Sequence, residues 1–401
     1  MHLTGFLQLA LIGIVIAAGP LAYAWARSRG KVGARRLVWI IVFFTFDLIL
    51  FGAFTRLTDS GLGCPDWPGC YGTSNPLAAH SKIKEAEAAM PTGPVTVAKA
   101  WIEMIHRYLA MGVGALLIAL VALAWRERAG GARTQGTQGT RGDGAPLAIP
   151  PPTSVPLSAA IALLVLVCLQ GAFGAWTVTL KLMPLVVSIH LLLAVLLLSA
   201  LGWVGSRDVG QHMASTAMTR WRRPILVVWC LLLSQIALGG WVSTNYAVLA
   251  CPDFPLCHGQ VFPQQADFAS GFQLLRPLGV LKDGSHLPTE ALIAIHWTHR
   301  AFALVIVGVL AWLALGVSRA ATVGSIERRL ANALMALTAL QVATGISNVV
   351  FAWPIAVAVM HNGGAAAMAL LLAVLHARAG SGPMASVSSD APPLARQVAT
   401  S

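Results

Sequence analysis

Charged side chains are scarce: Asp, Glu, Lys and Arg make up 10% of the 401 residues, only 15 residues are acidic, and hydrophobic residues reach 57% with a mean hydropathy of +0.72. A soluble domain carries about 25% charged residues, so the composition excludes that class and leaves a polytopic membrane protein. Other absences narrow the reading. Met1-His2-Leu3 supplies no basic residue ahead of the first apolar run, and that run is too long for a signal-peptide core, although Ala22-Tyr23-Ala24 has the small residues of a cleavage site. A retained extra helix is therefore expected at the amino terminus. No loop cysteine pair has the two-to-four-residue separation usual for structural zinc. No discontinuous, Gly-interrupted helices are expected at matching places in the chain, which counts against a transporter built on broken helices.

What is present is long apolar runs. About 20 residues cross a hydrocarbon core, and runs of that order lie near 3–25, 37–56, 98–125, 157–180, 184–205, 223–245, 290–317, 328–350 and 354–376. Backbone groups in lipid must be satisfied within the segment, so these runs predict nine helices. Sixteen Lys and Arg fall in the loops after the first, third, fifth and seventh helices, against six on the other side. Cytoplasmic loops retain positive charge, so the amino terminus is expected outside, in the periplasm of a bacterial inner membrane, and the carboxyl terminus in the cytoplasm. The net charge of +12 then belongs to short loops beside anionic lipid and needs no nucleic acid.

The chain also repeats itself. Cys64-Pro-Asp-Trp-Pro-Gly-Cys70, His106-Arg107 and Gln170 to His190 return in the same order as Cys251-Pro-Asp-Phe-Pro-Leu-Cys257, His299-Arg300 and Gln341 to His361, at offsets of 187, 193 and 171 residues. Each half carries four helices, an even number, so both enter the membrane in the same direction. The expected fold is an all-α polytopic membrane protein: two parallel-repeat four-helix transmembrane bundles, 37–205 and 223–376, plus one extra amino-terminal helix within 1–30. Residues 130–156, with a Thr-Gln-Gly repeat and three consecutive prolines, read as a flexible linker, 206–222 as a shorter one, and 379–401 as a disordered tail.

Cys64 with Cys70 and Cys251 with Cys257 lie in loops assigned to an oxidising compartment and are expected to form disulfides; a metal site is the competing reading. Four histidines, His106, His190, His299 and His361, lie about 9–14 Å below the outer ends of their helices at 1.5 Å per residue. Polar groups at that depth face a bundle interior, and two histidines on facing helices can hold haem iron from both sides. Arg107 and Arg300 could reach haem propionates or cap the outer interface, and Arg56, a third candidate propionate contact, stands at a pocket rim or a helix end. Glu103 lies one turn before His106, where His296 occupies the equivalent place before His299. That difference suggests one catalytic and one electron-transfer site, with Glu103 handling protons or simply paired with Arg107 or Arg56.

These motifs, over about 37–376, resemble the haem A synthase family: Gly61-Leu62-Gly63-Cys64-Pro-Asp-Trp-Pro-Gly-Cys70, Glu103-x-x-His106-Arg107, His190, the second cysteine motif, His299-Arg300 and His361. The resemblance implies oxidation of a haem O methyl group to the formyl group of haem A for a terminal oxidase. It implies a substrate haem between His106 and His190, Glu103 as catalytic carboxylate and a permanent haem b between His299 and His361. Haem O synthase and cytochrome oxidase assembly factors are the implied partners. The electron acceptor and any homo-oligomer are left unassigned. The rival classes are a quinol-linked dihaem b-type electron-transfer protein and a membrane thiol-disulfide oxidoreductase. The first suits the histidines but not two pairs on one side of the membrane, and the second leaves the histidines without work.

Overall fold

A computed structural model describes residues 3–27, 33–138, 155–207 and 216–380. It is helical, with only isolated β-bridges among the described residues. The nine long helices are α1 (Leu3–Arg27), α2 (Ala34–Leu57), α4 (Val97–Gln138), α5 (Leu157–Thr179), α6 (Pro184–Ser206), α8 (Arg222–Thr244), α10 (Thr289–Ala320), α11 (Ile326–Val350) and α12 (Ile355–Ala379). Each contains a span long and apolar enough to cross a membrane. Three short helices lie between them: α3 (His80–Ala89), α7 (Thr216–Thr219) and α9 (Phe268–Gly271).

Helix starts follow local chemistry. Pro184 opens α6 at a position where its missing N–H is no loss, and the Ser325 hydroxyl caps α11 by accepting from the Arg328 N–H at 3.3 Å. The ends repeat between the halves. Asp59 after α2 and Tyr246 after α8, 187 residues apart, are both left-handed, with φ of 51° and 55°. Lys181 and Leu182 after α5 match Ala352 and Trp353 after α11 at an offset of 171, all four with positive φ. The closing hydrogen bonds match too: Ser60 N to Thr55 O against Ala247 N to Val242 O, and Leu182 N to Thr177 O against Trp353 N to Asn348 O.

Neighbours form two closed rings. In one, α2 touches α4 and α6, and α5 touches α4 and α6; in the other, α8 touches α10 and α12, and α11 touches α10 and α12. Within the first ring, Leu37, Ile41, Leu116, Leu120, Leu163 and Leu198 fill the end away from the cysteine loops. Ile225, Leu232, Leu310, Leu313, Leu334 and Leu372 do the same in the second. Each ring is therefore solid at one end, and the histidines lie toward the other. The rings meet where α6 and α2 pack on α12 and α6 on α8, with the Leu50 side chain over Gly363 and the Leu370 side chain over Gly202. Outward faces carry Phe43, Ile118, Val165, Val227 and Leu304, all exposed on the protein surface as lipid-facing residues would be.

α1 lies along α4, so close at Gly13 and Gly112 that a Cβ on either would stand 2.7–2.8 Å from Met111 or Ile16. The linker expected over 130–156 is corrected at its start, because α4 continues as helix to Gln138; residues 139–154 of that linker, 208–215 of the shorter one and 381–401 of the tail lie outside the described residues. Extending a helix that is already nucleated adds one hydrogen bond per residue, and 130–138 contains no proline, so its glycines, at about 1 kcal/mol each, did not stop α4.

Candidate active site

Four histidines and four glycines form one recurring unit. His106 on α4 lies against Gly52 of α2, His190 on α6 against Gly174 of α5, His299 on α10 against Gly239 of α8, and His361 on α12 against Gly345 of α11. A Cβ at any of these glycines would stand 3.0–3.3 Å from the imidazole Cε1, closer than side chains ordinarily pack, so the glycine allows the ring to come this close to the neighbouring backbone. His106 and His190 are near enough to interact electrostatically, as are His299 and His361. All four rings are half-buried. Phe51 stacks on His106 with the planes 9° apart and centroids at 6.3 Å. The glycines recur at the same offsets as the cysteines and distal histidines, 187 for Gly52 and Gly239 and 171 for Gly174 and Gly345, and that periodicity was the signal in the sequence that could have found them.

The cysteine loops are fastened to α4 and α10 beside His106 and His299, through Glu103 and Arg107 in one half and His296 and Arg300 in the other. Cys64–Cys70 and Cys251–Cys257 are disulfides, with Cα–Cα separations of 4.9 and 4.7 Å, and all four cysteines are buried. In the first loop the Asp66 carboxylate accepts from the N–H groups of Tyr71 and Gly72; in the second, Asp253 accepts from His258 and Gly259 at 2.7 and 2.8 Å. Those bonds, the one from Gly259 foremost, hold the Asp253 carboxyl below its ordinary pKa. Gly63 lies on the backbone of α4, where a Cβ would be 2.5 Å from the Lys99 carbonyl carbon, so the loop can descend onto the helix only with glycine there.

Glu103 and His296 have the same neighbour in the two halves. The Cys64 N–H donates to the Glu103 carboxylate at 2.8 Å, and the Cys251 N–H meets His296 Nδ1 at 3.2 Å. Both residues are buried, 4% and 3% exposed. Glu103 also pairs with Arg107, the pairing that the sequence left open. Arg107 and Arg300, for which propionate contact and capping were both open, are tied into the loops. Arg107 donates to the carbonyls of Asp66, Pro68 and Gly69, and Arg300 to those of Asp253, Leu256 and Cys251. Arg56 points across to the other half, where it meets the Ser243 carbonyl and the Tyr246 ring.

The chain matches the sequence model of the family described as cytochrome oxidase assembly protein, COX15-CtaA, over residues 35–375. It belongs to this family. The match takes in both helix rings and leaves α1 outside. Among similar proteins, the Heme A synthase of Shewanella oneidensis is 37% identical over 351 residues, covering 85% of this chain and 96% of the relative. The Heme A synthases of Sphingopyxis alaskensis and Mesorhizobium japonicum are 28% and 26% identical, and cover 90% and 87% of this chain. Haem is thus the group against which a COX15-CtaA site has to be tested, and the residues here fit it. No cluster of three or more His, Cys, Asp or Glu that could hold a bare metal ion occurs among the described residues. Paired imidazoles suit an iron that brings four equatorial nitrogens of its own. All four imidazoles are held against glycine backbone at matching places in the two halves, which gives each half a pair of imidazole nitrogens, the donor set that haem iron takes.

Proposed function

We propose that this protein is a haem A synthase, a membrane oxidoreductase that converts the methyl group of haem O to the formyl group of haem A for terminal oxidase assembly. The observation that carries the reading is the histidine–glycine unit, present twice in each half, in a chain of the cytochrome oxidase assembly family. In this reading the half 37–205 takes the substrate haem between His106 and His190. The half 223–376 holds haem b between His299 and His361, and when bound there haem b supplies one-electron redox chemistry. Glu103 is the carboxylate that holds or moves a proton beside the substrate, and Arg107 fixes its orientation. The disulfide loops roof both sites and exclude water from them. Arg107 and Arg300 act as loop anchors.

The half-repeats are taken as parallel, with the cysteine loops outside and the carboxyl terminus in the cytoplasm, as the Lys and Arg distribution supports. Haem O synthase as donor and oxidase assembly factors as acceptor are the partners. An apolar cleft between α6 and α8, lined by Leu192, Leu193, Leu196 and Leu233, suits the long hydrophobic tail of the substrate entering from lipid.

The test is acid-extracted haem analysis by chromatography and mass spectrometry. Membranes carrying this chain with haem O synthase are compared with membranes carrying its Glu103→Ala form. Haem A or its hydroxylated precursor with the native chain alone is expected. Unchanged haem B and haem O in both, with intact protein, would instead favour a dihaem electron-transfer protein.

A further inference from the structure

We infer that Thr344 is a positioning residue that locks the His361 imidazole for tight iron ligation, and that Phe173, its counterpart in the other half, leaves His190 unlocked so that a haem there can exchange. The inference rests on the haem reading above and adds to it a reason why one site is permanent and the other turns over.

The Thr344 hydroxyl donates to the Leu340 carbonyl at 2.8 Å. Its oxygen also lies 2.9 Å from His361 Nδ1, and with its own hydrogen committed to Leu340 it can only accept there. Nδ1 therefore carries the ring proton, and the Nε2 lone pair is left for a metal. A hydrogen bond of this kind fixes the tautomer and orientation of a ligating histidine and raises its basicity. The partner histidine has a polar neighbour too, because the Gln235 side-chain amide lies 3.1 Å from His299 Nδ1. Its nitrogen also donates to the His299 backbone carbonyl at 3.1 Å, which holds the amide with its N–H, and not its oxygen, toward the ring.

The first half has neither group. At the 171-residue offset Thr344 becomes Phe173, and at the 187-residue offset Gln235 becomes Leu48. Correspondingly, the Nδ1 atoms of His190 and His106 are the two that are buried without a partner. Gln170, present in both halves as Gln170 and Gln341, behaves differently as well. Gln341 donates to the His361 backbone carbonyl at 3.0 Å, away from the ring, whereas the Gln170 amide stands 3.3 Å from His190 Nε2, the nitrogen that an iron would use. The glycine cradle is common to both halves, whereas the polar groups at the ring nitrogens differ between them.

The experiment uses the full-length protein in detergent with Thr344→Val, Thr344→Ala, Thr344→Ser, Phe173→Thr and His361→Ala. The readouts are the low-spin haem spectrum, its midpoint potential and the rate of haem transfer to apomyoglobin. Both Thr344→Val and Thr344→Ala should keep a low-spin haem but lose it about 10–100-fold faster with a shifted potential, and Thr344→Ser should restore both. In protein loaded with haem B, Phe173→Thr should slow release from the first site. Native transfer rate and potential in Thr344→Val and Thr344→Ala would overturn the inference. His361→Ala separates the two readings: if it leaves the low-spin spectrum intact, the haem b assignment itself fails; if it removes that spectrum while the Thr344 variants behave as native, only the inference fails.

Discussion

The Arg56 guanidinium donates to the backbone carbonyl of Ser243, the residue that occupies its own position in the second half, 187 residues on. Asp59 and Tyr246 are counterparts in the same sense, and the Tyr246 hydroxyl donates to Asp59 Oδ1 at 2.7 Å. Equivalent residues touch only where two repeats face each other, so these four mark the seam at the ends of α2 and α8. Arg56 adds a 3.0 Å pair with Asp59 and lies 4.2 Å over the Tyr246 ring. Because Asp59 is half exposed, the ion pair itself contributes under about 1 kcal/mol; the bond from a charged donor to the Ser243 carbonyl contributes more. Arg56→Ala should lower the free energy of unfolding by about 1–3 kcal/mol, read from denaturant unfolding in detergent, and Arg56→Lys should recover only part because it lacks the planar fork. Native stability in Arg56→Ala would place the seam elsewhere.

The same seam predicts an alkaline limit. Burial, the largest influence, and the Asp59 carboxylate raise the pKa of the Tyr246 phenol, against the opposing pull of Arg56. A phenol raised in the folded state contributes stability that is complete below the unfolded value of about 10 and is lost as pH rises through the folded value. Unfolding measured from pH 8 to 11 should show stability flat to about pH 10 and falling above it. Tyr246→Phe should start lower by about 1 kcal/mol and show a shallower fall. An identical alkaline slope in both proteins would assign the titration to another group.

The transmembrane layout was legible because lipid leaves so few options: runs near 37–56 and 184–205 had to be helices, and α2 and α6 begin and end within three residues of them. The loops were less legible. Their backbone is satisfied by side chains from elsewhere, and no local pattern announces that Arg107 will collect three carbonyls 38 to 41 residues upstream. For the same reason the sequence offered Glu103 a partner on its own helix, Arg107, but not the loop N–H of Cys64 that it also accepts from. The glycines under the histidines were hidden differently. An apolar helix tolerates glycine without comment, and only the register between the halves marks Gly239 and Gly345 as special.

That register makes an unusual prediction. Glycine to alanine inside a helix ordinarily stabilises by about 0.5–1 kcal/mol. Gly308 of α10 has open space where a Cβ would go, whereas at Gly239 the Cβ would stand 3.0 Å from His299 Cε1. Gly308→Ala should therefore be as stable as the parent or slightly more so, with full haem content. Gly239→Ala should push the imidazole off its backbone and lose most of the low-spin haem while the helices stay folded, as judged by absorption and circular dichroism of the same sample. Equal haem content in the two variants would mean that the ring does not need its cradle.

Glu103 carries two roles that can be separated. Its carboxylate accepts from the buried Cys64 N–H at 2.8 Å and pairs with Arg107, so Glu103→Ala both removes an acid and leaves a loop N–H without a partner, which costs about 1–3 kcal/mol. Loss of activity in that variant alone could come from a displaced disulfide loop. Glu103→Gln keeps an oxygen for the Cys64 N–H and gives up the ionisable group with its charge pair to Arg107, whose guanidinium stays tied to the loop by the carbonyls of Asp66, Pro68 and Gly69. Reduction of Cys64–Cys70 by a small thiol should therefore proceed at the native rate in Glu103→Gln and faster in Glu103→Ala. Haem A formation should be abolished in both if the carboxylate moves a proton. Haem A made by Glu103→Gln at the native rate would reduce Glu103 to a fastener for the loop, with a role no different from that of His296 in the second half.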